Sequence, residues 1–178
     1  MKTLGQLIFT AVEAATLGGW LALVLREVPT FAIVVLLVGF FVEHFIAFNV
    51  KNARPFFQAR RQPFGSLVVL AVLETIAWAA WLALIPVNVP VSAVVLFVLL
   101  LLGHIIEVNV VNGFPLFANV GERLRRTLDI TAIETVVGIV WRMLVIAGQG
   151  VVAFVILFAG LFVEHFLSGR KVFQRGQS

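Results

Sequence analysis

The sequence contains no cysteine. That excludes disulfides and thiolate metal sites, and it leaves the redox compartment unreadable. Charge is scarce too: 12% of residues are Asp, Glu, Lys or Arg, against about a quarter in an ordinary soluble domain. Histidine occurs three times only. There is no P-loop, dinucleotide fingerprint, nucleophile elbow or HExxH helix, which argues against soluble-type catalysis of those kinds.

What the chain has instead is apolar surface. A hydrophobic fraction of 61% and a mean hydropathy of +1.09 point to a lipid bilayer as the principal partner. The 178 residues suffice for one domain spanning 1–178. The net charge of +4 does not point to nucleic acid, because the basic residues lie in loops and tails between apolar runs. Residues 1–19 have the outline of a signal peptide. Glu13 interrupts that run and the pattern recurs twice, so the segment is read as a retained helix.

A bilayer core takes about 20 apolar residues per helix. Six segments meet that length, near residues 6–25, 31–50, 66–86, 90–111, 128–148 and 150–168. Tight connections around Pro29, Pro86 to Pro90 and Gly148 to Gly150 alternate with two longer ones, 51–65 and 112–127. Lys2, Lys51, Arg54, Arg60, Arg61, Arg123, Arg125, Arg126, Arg170, Lys171 and Arg175 fall on one side of this topology. Arg26 alone lies in an opposite loop, and Arg142 sits inside the fifth segment, in reach of the outer interface by snorkelling. The positive-inside rule therefore predicts an inner or plasma membrane protein with both termini cytoplasmic. Asn49 to Phe57 matches Asn109 to Phe117 at an offset of 60, and both are expected to lie in the cytoplasmic interface.

The apolar runs carry a repeat. Gly39-Phe40-Phe41-Val42-Glu43-His44-Phe45 returns as Gly160-Leu161-Phe162-Val163-Glu164-His165-Phe166, and Gly103-His104 with Glu107 stands between them. Upstream of each histidine, a Glu is followed seven residues later by Trp: Glu13 and Trp20, Glu74 and Trp81, Glu134 and Trp141. Glu and His are separated by 31, 30 and 31 residues in the three copies. The fold class expected is all-α integral membrane: six helices forming three parallel hairpin repeats, about 5–57, 66–117 and 126–173, in a pseudo-threefold bundle. The three Trp residues are expected in an aromatic belt at the outer interface.

Paired helices bring Glu and His of one hairpin to the same depth, so six carboxylates and three imidazoles share the cytoplasmic third of the bundle. Each mid-membrane charge costs at least about 2.5–3.5 kcal/mol, so these groups should face inward and pair. Several chemistries fit. The first is structural, with Glu–His bonds holding each hairpin. In the second a transition metal (Zn, Fe, Mn or Cu) is ligated by His44, His104 and His165 together or at separate sites. Glu13, Glu74 and Glu134 are then ligands or orienters, and Glu43, Glu107 and Glu164 are accessory. The third is a proton- or ion-coupled transporter. Haem fits less well, because all three histidines lie at one level. Partner membrane subunits or a homo-oligomer accompany the structural reading.

Lack of cysteine makes the orientation easy to test. Ser178→Cys should be labelled by a membrane-impermeant maleimide only in inside-out vesicles, and Glu27→Cys only in right-side-out ones. Labelling with the opposite polarity would overturn the expected topology.

Overall fold

The computed structural model describes residues 2–51, 64–111 and 114–173. They form six helices: α1 (Lys2–Leu25), α2 (Pro29–Lys51), α3 (Phe64–Leu84), α4 (Val89–Val111), α5 (Val120–Ile146) and α6 (Gly150–Phe173). Five of them, all but α5, are long and apolar enough to cross a membrane. The fifth starts eight residues earlier than the sequence pattern suggested, because apolar periodicity does not register its first turns, which carry Glu122, Arg123, Arg125 and Arg126. Residues 52–63, which hold most of the first expected interfacial segment, lie outside the described residues. In the second, Phe114 and Phe117 are exposed.

The principal helix contacts run in chain order, and α6 closes the ring onto α1. Side chains facing away from this ring are apolar, as Val38, Val94, Val98, Val152 and Val155 illustrate. An apolar exterior around a polar interior inverts the usual soluble pattern and suits lipid as solvent.

The tight turns have identifiable chemistry. After α1, Val28 N–H donates to Leu23 carbonyl and Glu27 N–H to Val24, with Glu27 left-handed at φ 60°. After α5 the same pair of bonds forms around Gly148 at φ 74°. Both are Schellman endings, which satisfy otherwise orphaned carbonyls. The turn before α4 differs: the Asn88 side chain accepts from Val91 N–H and caps the new helix.

The expected aromatic belt is corrected. Trp20, Trp81 and Trp141 are buried, not interfacial, and all pack edge-on to a fourth, Trp78, with ring centroids 5.5–6.4 Å apart. The Glu-to-Trp spacing of two turns fixes depth, but facing is decided by the closed ring, which turns that stripe inward. The tryptophans form an apolar layer toward the tight-turn end of the bundle.

Close approach within hairpins depends on Gly39 and Gly160. A Cβ on Gly39 would collide with the side chain of Thr16, and one on Gly160 with Val137. At the matching positions the middle hairpin carries Leu99 and Ala77, so the small partner has changed helix. Gly39→Ala should destabilise the protein by about 1–3 kcal/mol through overpacking. Thr16→Ala in the same chain should restore much of that loss. Thermal unfolding in detergent of the two single variants and the double variant measures the coupling, and simple additivity would refute the contact.

Candidate functional site

The nine Glu and His residues singled out above are distributed over all six helices, and at least eight of them meet in direct ion-pair contacts. His44 Nδ1 is 3.0 Å from Glu43 Oε2, and its Nε2 is 3.1 Å from Glu74 Oε2. His104 Nε2 is 3.3 Å from Glu134 Oε2 and 3.7 Å from Glu164 Oε1. His165 Nε2 is 3.2 Å from both Glu13 Oε2 and Glu164 Oε2. Glu107, half-buried, lies within electrostatic range of Glu74 and Glu134. Glu13 in turn feels the charges of Glu134, Glu43, Glu164 and Glu74, so the carboxylates form one cluster.

The pairing differs from that expected. Glu13 and His44 of one hairpin do not pair. Each histidine reaches the Glu of the next hairpin instead: His44 to Glu74, His104 to Glu134, and His165 round the ring to Glu13. Helix rotation gives the reason. Gly39 is the α2 residue that packs on α1, and His44, five residues on, is turned about 140° away from it toward α3. The same rotation gives each histidine its own carboxylate partners. Among the described residues, the one set of metal-competent donors within 4.8 Å of one another is Glu43, His44 and Glu74, with a single histidine.

Two residues that sequence reasoning missed complete the geometry. Thr131 Oγ1 lies 2.8 Å from His104 Nδ1, and Thr10 Oγ1 lies 2.8 Å from His165 Nδ1. Both stand three residues before the ring glutamate, on the same helix face, as Thr10-x-x-Glu13 and Thr131-x-x-Glu134. That shared spacing was the available signal. In the middle copy the position is Ala71, and His44 Nδ1 has Glu43 beside it instead.

Thr131 Oγ1 lies 2.9 Å from the Thr127 carbonyl as well as 2.8 Å from His104 Nδ1, while His104 Nε2 faces carboxylate oxygens. If the hydroxyl proton stays on the Thr127 bond, Nδ1 carries the ring proton and Nε2 meets the carboxylates as a lone pair, which a proton or a cation between them would relieve. His44 presents a related problem: its side chain is only 4% exposed, yet neither nitrogen makes a hydrogen bond among the described residues, despite the short distances to Glu43 and Glu74. Glu13 Oε2 is likewise buried without one. Two ligands on one ion at about 2.0–2.2 Å from it stand about 3–3.5 Å apart, so each separation taken singly suits shared coordination as well as ion pairing, an imidazole lending one nitrogen to one ion.

Toward the termini the cluster continues as a polar stripe on α5. Buried Thr127, Thr131 and Thr135 bond back to carbonyls one turn earlier, and buried Arg123 donates to Asn109 and stacks over Phe114 at 5.3 Å. This stripe and the charges at Asp129, Glu134 and Arg142 make α5 the least apolar helix.

Comparison with protein-family models, with curated proteins and with solved structures finds no match. Fold and site together define a class: a helical, multi-pass membrane protein with a buried Glu/His cluster inside its bundle.

Thr131→Val should cost about 1 kcal/mol through the lost bond to His104. Thr135→Val, which removes only a local bond to the backbone, should cost clearly less. Unfolding in mixed detergent compares the two, and equal effects would deny Thr131 its positioning role.

Proposed function

We propose that this is a metal-binding membrane protein whose primary centre is Glu43, His44 and Glu74. The observation carrying the reading is that these donors gather within 4.8 Å, with buried His44 held between the two carboxylates at 3.0 and 3.1 Å. The ligand set of one imidazole and two carboxylates suits Zn, Fe or Mn, and Cu less. Charge supports it. If the six carboxylates are ionised, three protonated histidines offset only half of their charge, and divalent cations would supply the rest. In the proposed architecture all six helices span the membrane, as three parallel hairpins around one axis with both termini cytoplasmic. The charged α5 is tolerated because its polar stripe faces the interior. Haem has no comparable support.

A second reading, ion- or proton-coupled transport, is favoured by the polar stripe from Arg123 to Thr135, which leads from the terminal end to the cluster. The buried tryptophan layer opposes it, since it closes the other end with apolar surface. In a third, a structural subunit of a larger assembly, the Glu–His contacts serve only as staples between hairpins.

Elemental analysis of detergent-purified protein, beside His44→Ala and Glu74→Gln, separates these readings. The metal reading expects a bound transition ion in the wild type that both variants lose. A metal-free wild type whose variants lose only thermal stability would replace it with the structural one.

A further inference from the structure

Six carboxylates and three imidazoles exceed the needs of one ion, and their arrangement is not threefold. On its Nε2 side each imidazole has the Glu of the next hairpin. The Nδ1 sides differ: Thr131 holds His104 and Thr10 holds His165, whereas His44 has Glu43. Glu164 occupies the position in its hairpin that Glu43 occupies in the first. Thr10 engages His165 Nδ1, and Glu164 turns to the Nε2 sides, where it reaches two histidines at once. Its Oε1 faces His104 Nε2 and its Oε2 faces His165 Nε2. The middle hairpin has Gly103 in this place, where the Glu74 side chain passes 3.8 Å from a would-be Cβ. One carboxylate therefore stands between two otherwise similar half-sites.

Each half-site holds an imidazole and a carboxylate of its own, His104 with Glu134 and His165 with Glu13. Each histidine is also bonded at Nδ1 to a threonine hydroxyl. An oxygen partner on the remote ring nitrogen is the common support of a ligating histidine, because it fixes both tautomer and ring plane. Glu13 Oε2 is buried with no hydrogen bond, and it points into this region beside His165 Nε2. Bundle interiors built from facing helices hold such carboxylate-bridged ion pairs.

We propose that His104, Glu134, His165 and Glu13 hold a dinuclear divalent metal centre bridged by Glu164, separate from the ion at His44. This rests on the metal reading of the cluster. The donors around His165 and His104 stand wider apart than the Glu43 set, so loading draws the carboxylates inward by side-chain rotation. With ions at all three places and neutral imidazoles, the six carboxylates are balanced. The Trp layer shields the pair on one side, and the α5 stripe gives it a polar approach on the other.

The test loads purified protein with Mn²⁺ and reads bound metal together with the electron paramagnetic resonance spectrum. Wild type should show exchange coupling between two ions and an additional isolated ion. Glu43→Gln should lose the isolated ion and keep the coupled signal. Glu164→Gln, isosteric and so little disturbing to the fold, should lose the coupled signal and keep the isolated ion. Thr10→Val should weaken the coupling by letting Glu164 fall back to His165 Nδ1. A wild-type spectrum without coupling, or a coupled signal that survives Glu164→Gln, overturns the bridge. A single ion lost only in Glu43→Gln overturns the pair while leaving the His44 centre standing, and a protein that binds no Mn²⁺ overturns both.

Discussion

The constraint on which this structure depends is the cost of carrying charge through an apolar interior. Six of the chain's nine acidic residues sit within helices at one level of the bundle. No lysine is available to them there, and the described arginines lie toward the ends of α5 and α6 or in the first turn. The layer is relieved by protons on imidazoles or carboxyls, or by metal ions shared between them.

Closing the ring is what makes the arrangement possible. Within a hairpin, the helices meet through small residues such as Gly39, and that contact turns the histidine away toward the following hairpin. The contacts of His44 with Glu74, His104 with Glu134 and His165 with Glu13 thus tie neighbouring hairpins together, while the apolar seams hold each hairpin itself. The contact of His165 with Glu13 joins the last helix to the first, so the two ends of the chain are locked at the same depth as the site. The tryptophan layer completes the enclosure: Trp78 gathers Trp20, Trp81 and Trp141 around itself two turns from the cluster.

Small departures from the recurring Glu and His spacing set the surroundings of each histidine. Ala71 for a threonine leaves Glu43 beside His44 Nδ1, and Gly103 for a glutamate opens space for Glu74. With Thr10 retained, Glu164 reaches both remaining histidines. Single side-chain changes on a common scaffold thereby give three histidines different surroundings, and a site with different surroundings can do more than one thing.

Much of this was legible in the chain. Helix number, approximate boundaries and the candidate residues followed from apolar runs about 20 residues long and from Glu and His recurring at a fixed interval. Both are local properties, set by the rise of a helix and the thickness of a bilayer. Facing was not legible. Whether Glu13 meets His44 or His165, and whether Trp20 faces lipid or core, depends on how each helix is rotated against two neighbours that are distant in sequence. The sequence alone determined which groups share a depth. Only the packed ring decided which of them touch, because rotation about a helix axis is fixed by side chains such as Gly39, Thr16 and Trp78 meeting across the bundle.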